Sequence, residues 1–368
     1  MQALILVGGE GTRLRPLTST MPKPVVPLVD RPFIVYQLQW LRSHGVDKVV
    51  LACGFLPDAM NAVLGDGSDL GLELTYLVEP QPLGTGGALK FAEDLLADRF
   101  LMLNGDTLTD IDLTAQIAQH VATGAQATLA LVPAEDPSAY GLVPLNPDDS
   151  VREFLEKPGP DEQLDTNLIN AGAYVIEKAI LADLAPAGTN VSIERDIFPK
   201  LVGHGLYGYK ADGYWLDIGT PERYLQGTYD ILERTVTTEV GAAITAADGK
   251  FVTDSIVSGR VVAPSVVGAG CEIATGAIVG GRAVLGENVR IGEGAVIRNS
   301  VLLENVSIGA HSTVTGSVLA TGVSIGEHCH IEGGVVLGAG VRVGDHNHIA
   351  ARARIFPGVQ LPEKAIQF

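Results

Sequence analysis

No run of apolar residues in this sequence approaches the ~18 to 20 that a membrane-spanning helix needs, so no such span is expected. Cysteine is nearly absent. Cys53, Cys271 and Cys329 lie far apart, without the paired spacing of a zinc site or a disulfide framework. That usage suits small buried thiols in a reducing compartment. No basic stretch or cleavage site precedes the aliphatic run that begins at Ala3, which points away from a secretory signal and toward a cytoplasmic location. Positive charge is also scarce: 25 Lys and Arg stand against 43 Asp and Glu, a net charge of −18. The deficit is local. Residues 253–368 hold nine acidic and eight basic side chains, which leaves 34 and 17 for residues 1–252. Such a surface repels nucleic acid and anionic membranes, and neither is an expected partner. Against that background, residues 1–31 carry Arg13, Arg15, Lys23 and Arg31 with only Glu10 and Asp30. A basic pocket in an acidic domain predicts a small, highly charged anion as ligand.

What is present falls into two textures, and 368 residues suffice for two domains. Aliphatic runs at Ala3–Val7, Lys48–Cys53, Leu72–Val78 and Phe100–Leu103 read as strands, and Phe33–His44, Pro57–Leu64 and Gly86–Ala97 as helices between them. This alternation predicts a Rossmann-like α/β domain with a mainly parallel sheet over residues 1–232. Ligands of such sheets bind beyond the carboxyl ends of the strands, where Gly8 and Asp106 would sit. From Val261 an aliphatic residue recurs every six positions through Ile355, with five-residue steps from Ile297 to Leu302 and from Val314 to Leu319. Hexads of this kind predict a parallel β-helix, three hexads to a coil, expected to be left-handed and to occupy residues 253–368, with 233–252 as linker. The pairs His328/His346 and His330/His348 are each 18 residues apart, one full coil, so each pair is expected to stack and to point outward.

The stretch Leu4–Pro24 reads LILVGGEGTRLRPLTSTMPKP. It lacks the Gly-Lys-Ser/Thr ending of a P-loop and the dinucleotide fingerprint GxGxxG. Glycines at 8, 9 and 11 let backbone N–H groups approach an anion closely. Arg13 can neutralise charge on such an anion, and Lys23, held in a proline-stiffened loop, can supply a point charge. Gly9-Glu10-Gly11-Thr12-Arg13-Leu14-Arg15-Pro16-Leu17-Thr18 and Pro22-Lys23-Pro24 resemble the signature of the sugar-nucleotide pyrophosphorylases, nucleotidyltransferases acting on sugar 1-phosphates.

Later motifs match the same family in the same order. The resemblance implies nucleotide binding by Gly8, Gly9, Gly11, Thr12, Arg13, Glu79, Gly84 and Thr85, and metal binding by Asp106 of Asn104-Gly105-Asp106 and by Asp217 of Trp215-Leu216-Asp217. It implies sugar-phosphate contacts by Gly141, by Glu156 and Lys157 of Phe154–Pro158, and by Asn170 of Asn170-Ala171-Gly172. Two carboxylates without histidine or cysteine suit a hard cation, hence Mg²⁺. The implied reaction is in-line attack of a sugar 1-phosphate oxygen on the α-phosphorus of a nucleoside triphosphate, with pyrophosphate leaving. Positioning and charge neutralisation carry it, and Arg13, Lys23, Asp106 and Asp217 are the expected catalytic set.

Base choice is read from Glu79-Pro80-Gln81-Pro82-Leu83-Gly84-Thr85. An ionised Glu79 only accepts hydrogen bonds, which suits the neighbouring N1–H and N2–H₂ donors of guanine and opposes a thymine carbonyl. The whole chain most resembles the family's bacterial guanylyltransferases that use mannose 1-phosphate. Within the family the alternatives are thymidylyl transfer to glucose 1-phosphate or guanylyl transfer to heptose 1-phosphate. Outside it stand an acyltransferase activity of the β-helix, against which the absence of a long inserted loop weighs, and a non-catalytic sugar-nucleotide sensor. A regular coil stack has open strand edges to cover, so the β-helix is expected to support a homo-oligomer.

Overall fold

The computed structural model describes residues 1–54, 56–157 and 165–367, and their contacts divide the chain into two units. The first contains residues 1–9 and 36–215, the second residues 10–35 and the chain from Leu216 onward.

In the first unit the expected strands form a parallel core. Gln2–Leu6 runs between Lys48–Cys53 and Arg99–Asn104, parallel to both, and Glu73–Val78 lies outside Lys48–Cys53. Strands covered on both faces read as unbroken aliphatic runs, and Ala3, Leu4 and Ile5 are each fully buried. The far half of the sheet is mainly antiparallel, with Leu206–Lys210 alone parallel to Ala127–Pro133 among its described pairings. Leu168–Glu177 pairs with Arg99–Asn104 and with Ala127–Pro133, and the short strands Gly141–Leu142 and Leu155–Glu156 finish that edge. Tyr174 and Phe154 both pack on Phe198, with ring centroids 5.1 and 5.4 Å away. The helix expected over Gly86–Ala97 is Gly84–Phe91. Beyond it the chain tightens into a 3₁₀ turn, Glu93–Leu95, and turns extended at Leu96, which it buries. The three cysteines are free and buried, and burial, with the nearby Glu79 charge, pushes the Cys53 thiol up to about 12.

In the second unit short parallel strands stack in three sheets of seven, seven and six, a left-handed parallel β-helix. Every hexad position from Val267 to Ile349 lies in one buried aliphatic cluster, with Val261 and Ile355 packed on it. The span 233–252 holds the helix Glu239–Ala246 and the strand Lys250–Val252, whose register with Ser265–Val267 makes it the first rung of one sheet. His328 and His346 stack outward with centroids 5.2 Å apart and rings 4° from parallel. The stack has a third member, His311, 5.2 Å from His328. Its spacing is 17 residues because the five-residue step at Val314–Leu319 shortens that coil. His330 and His348 do not stack as expected. Their rings meet edge to face at 69°, because His348 Nε2 is bonded to Glu332 at 2.5 Å. Among the described residues no helix is long and apolar enough to cross a membrane.

Candidate active site

Gly8 leaves the carboxyl end of strand Gln2–Leu6 against Gly54, which follows Lys48–Cys53. A Cβ on Gly54 would lie 2.7 Å from the Gly8 carbonyl oxygen, so this backbone crossing requires glycine. Glu79 continues from the next strand, its N–H bonded to Cys53 O at 2.9 Å. One carboxylate oxygen faces Gly8, 3.4 Å from where its Cβ would be, and the other accepts the Leu83 N–H at 3.1 Å. Burial raises the Glu79 pKa, and the Leu83 bond opposes that rise. Glu79 is therefore a half-buried, oriented carboxylate at the strand edge and not a solvent-facing one.

The glycines after Leu83 are packed tightly. At Gly84, with φ of 71°, a Cβ would lie 2.6 Å from Val191 O, and at Gly87 one would lie 2.4 Å from Thr189 O. Thr85 Oγ1 donates to Glu194 at 2.7 Å and accepts the Ile193 N–H at 2.9 Å. The string thus secures the 189–194 segment whatever else it binds.

Asp106 follows strand Arg99–Asn104 in a tight turn. Gly105 donates to Leu6 O at 3.0 Å, and its Cβ would meet Leu6 O at 2.6 Å. Gln37, 2% exposed, holds the same turn through Asn104 O at 2.9 Å and Thr107 Oγ1 at 3.1 Å. Nothing in the local sequence marked Gln37, which reads like its neighbour Gln39 as a polar residue on a largely apolar helix.

The expected sugar-phosphate residues meet at the antiparallel edge. Gly141 and Glu156 are direct cross-strand partners. A Cβ on Gly141 would lie 2.9 Å from a Glu156 carboxylate oxygen, so the side chain crosses the glycine. Burial raises the Glu156 pKa, the Glu194 charge raises it further, and Lys157 and Arg195 lower it. Lys157 has φ of 52° and donates its N–H to Tyr140 O at 3.2 Å; Pro158 lies outside the described residues. Asn170 Nδ2 donates to the Tyr174 hydroxyl at 2.8 Å, and its Oδ1 accepts the Gly172 N–H at 3.1 Å. Gly172, at φ 72°, packs on the Asn104 amide, which brings the Asn170 and Asp106 motifs together. Trp215 closes the group, donating to Ala171 O at 2.8 Å and meeting Tyr140 edge-on. Glu194 and Arg195, which no motif marked, are the charged residues added here by the fold.

The second unit contains the rest of the signature. Gly11, at φ 62°, starts the 3₁₀ turn Thr12–Leu14, its carbonyl taking the Thr18 hydroxyl at 2.8 Å. A Cβ on Gly11 would lie 3.0 Å from Lys23 Cβ, so the glycine turn rests on the lysine stem. Arg13 reaches Gly219, where a Cβ would lie 2.9 Å from an Arg13 guanidinium nitrogen and 2.6 Å from Asp217 Oδ1. Cation and carboxylate thus crowd one point. Arg223 adds a second guanidinium, 3.5 Å from Asp217 Oδ2. The expected basic pocket is smaller than its sequence suggested: Arg15 pairs with Glu10 at 3.0 Å, and Arg31 with Asp30 at 2.9 Å and Glu239 at 3.1 Å. These pairs remove Arg15 and Arg31 from the anion-facing set.

Asp106 and Asp217 offer hard oxygen donors on half-buried side chains, which suits a divalent cation of the alkaline-earth kind. Among the described residues no group of three or more His, Cys, Asp or Glu converges on a point.

A family model described as nucleotidyl transferase matches residues 2–234, and one described as the GMPPB C-terminal domain matches residues 261–367. The chain is 39% identical over 308 residues to the mannose-1-phosphate guanylyltransferase of Mycobacterium tuberculosis, covering 81% of this chain and 83% of that one. It is 32% identical to a UTP–glucose-1-phosphate uridylyltransferase of Synechocystis, covering 82% of each. Among solved structures, HddC from Yersinia pseudotuberculosis complexed with GMP-PN matches with a TM-score of 0.53 and 29% identity, over 61% of this chain and 97% of that one.

Proposed function

We propose, from the premise that this chain belongs to the nucleotidyl transferase family, that it joins GTP to mannose 1-phosphate, giving GDP-mannose and pyrophosphate. The observation that carries this reading is Arg13 and Asp217 meeting over Gly219, a cation and a metal-type carboxylate together on the signature loop's side. Guanine is favoured by the oriented Glu79 carboxylate. Each of its oxygens has two lone pairs, so the Leu83 bond leaves acceptor capacity for N1–H and N2–H₂. Mannose is favoured by the relatives at 35–39% identity that carry that name.

In this reading residues 1–232 carry the chemistry and 253–368 the β-helix. Backbone N–H groups of Gly8, Gly9, Gly11 and Thr12 cradle the triphosphate, with Gly84 and Thr85 completing the nucleotide pocket, and Arg13 and Lys23 neutralise the departing pyrophosphate. Glu156 and Asn170 orient the sugar hydroxyls beside Gly141, and Lys157 holds the sugar phosphate. The phosphate is already ionised, so no side chain need remove a proton. A divalent metal serves the family's chemistry; we assign Mg²⁺ to Asp106 and Asp217, where it supplies charge stabilisation at the α-phosphate. Pyrophosphate release across a panel of triphosphates and sugar 1-phosphates tests the whole reading: GTP with mannose 1-phosphate gives the highest kcat/KM. A higher value for UTP or dTTP with glucose 1-phosphate replaces it.

Glu79→Gln tests the base reading. The preference for GTP over dTTP falls about tenfold, the worth of one charged hydrogen bond. Because burial raises the Glu79 pKa, wild type should also lose this preference on acidification at a higher pH than an exposed glutamate would dictate. An unchanged GTP/dTTP ratio removes Glu79 from base selection. The β-helix is also proposed to support self-association. Light scattering on the full chain gives more than one subunit, and a monomer dismisses this role.

A further inference from the structure

We propose that Arg354, in the β-helix, is a positioning residue for nucleotidyl transfer: its guanidinium holds the backbone of the signature turn and thereby aims the Arg13 side chain. The proposal rests on the reading of Arg13 as the pyrophosphate-neutralising residue. Arg354 begins Arg354–Ile355, the terminal strand of its sheet. Its Nη1 donates to Arg13 O at 3.2 Å and to Arg15 O at 3.4 Å, contacts that span 341 and 339 residues of chain. Both carbonyls lie at the end of the turn Thr12–Leu14, where the last carbonyls of a helical turn lack intrahelical donors and where positive charge is favoured. One guanidinium bridging two carbonyls two residues apart fixes the planes of the Arg13–Leu14 and Arg15–Pro16 peptides. Those planes set the direction in which Arg13 leaves the backbone toward Gly219 and Asp217.

A second contact explains why the β-helix can act as the reference frame. Helix Pro221–Glu233, capped by Thr220 three residues after Asp217, lies along one corner of the coil stack. Near its carboxyl end the Tyr229 hydroxyl donates to Asn299 O at 2.6 Å, Arg282 lies 4.5 Å over the Tyr229 ring, and Arg282 faces Glu233 at 3.7 Å. At its amino end Glu222 is held below its ordinary pKa by its own backbone N–H, and further by the Thr220 hydroxyl and the Arg354 and Arg352 charges, against the effect of burial. Arg282, Asn299, Gly316, Gly334 and Arg352 all have positive φ and turn the same corner in successive coils. Four coil steps span about 19 Å at the spacing of neighbouring strands, and 13 helical residues span about 20 Å. The helix carrying Asp217's neighbours and the turn carrying Arg13 are therefore referenced to one rigid stack.

The test uses the full chain with Arg354→Ala and Arg354→Lys. Arg354→Ala should raise the KM for triphosphate and lower kcat, together about tenfold in kcat/KM, while the KM for sugar 1-phosphate and the Tm hold. Arg354→Lys, which keeps one donor centre, should recover part of the loss. Hydrogen exchange, which needs no substrate, should be faster at the Leu14 and Arg15 amides in Arg354→Ala. Unchanged exchange in that segment, or a loss spread equally over both substrates with a lowered Tm, overturns the positioning role. If wild type releases no pyrophosphate from any triphosphate, the functional reading fails, and the exchange result still decides whether Arg354 holds the turn.

Discussion

Asp106→Asn and Asp217→Asn each lower kcat by about 10²- to 10³-fold, the scale of removing one electrostatic stabiliser from a transition state, and leave thermal unfolding nearly unchanged. Asparagine keeps the volume and removes the charge, so neither substitution opens a cavity. The ion pair of Asp217 with Arg223 involves a side chain 37% exposed, and pairs that open to solvent contribute about 0 to 1 kcal/mol. Activity and stability therefore separate. Turnover assayed over a range of Mg²⁺ concentrations, beside a thermal melt, checks this. Wild-type turnover in either variant would show that its carboxylate holds no catalytic metal. A melt lowered by more than a few degrees would show that the carboxylate belongs to the fold.

The β-helix was the most legible part of the molecule, because an aliphatic residue every six positions has one geometric solution and each such residue from Val267 to Ile349 is buried where the period placed it. His311 escaped because a fixed spacing of 18 does not survive the five-residue steps; counting hexads would have found it. The parallel half of the sheet was legible as runs of buried aliphatics, whereas the antiparallel edge was not, since strands as short as Gly141–Leu142 have no period to read. Within the site, glycines were legible as a class but not by purpose. Gly8 and Gly54 serve a backbone crossing, Gly84 and Gly87 the packing of the 189–194 segment, and Gly219 makes room for Arg13. Arg31 was indistinguishable from Arg13 in sequence, since only the fold supplies Glu239 as a partner, whereas the partner of Arg15, Glu10, lies five residues away. Gln37, Glu194, Arg195 and Arg354 reach the site's elements from distant positions, and no local motif encodes a contact across 341 residues.

Gly219→Ala is the sharpest separation of site from fold. Gly219 is buried and is not among the residues with positive φ, so alanine meets no backbone strain there. Its Cβ would stand 2.6 Å from Asp217 Oδ1 and 2.9 Å from an Arg13 guanidinium nitrogen, distances that cannot persist. Both intruded groups are ends of side chains, and the guanidinium moves at little cost to stability. The expected result is a folded protein with a Tm within a few degrees of wild type and kcat lowered about 10²-fold, because a displacement near 1 Å at a catalytic group costs on that order. Gly54→Ala is the contrasting control. Its Cβ would meet the Gly8 carbonyl oxygen at 2.7 Å, which is backbone and cannot swing away, so that variant loses stability together with activity. Steady-state kinetics and thermal melts of the two variants side by side distinguish the cases. Near-wild-type kcat in Gly219→Ala would mean that the Arg13 guanidinium does not work from the place where the fold holds it.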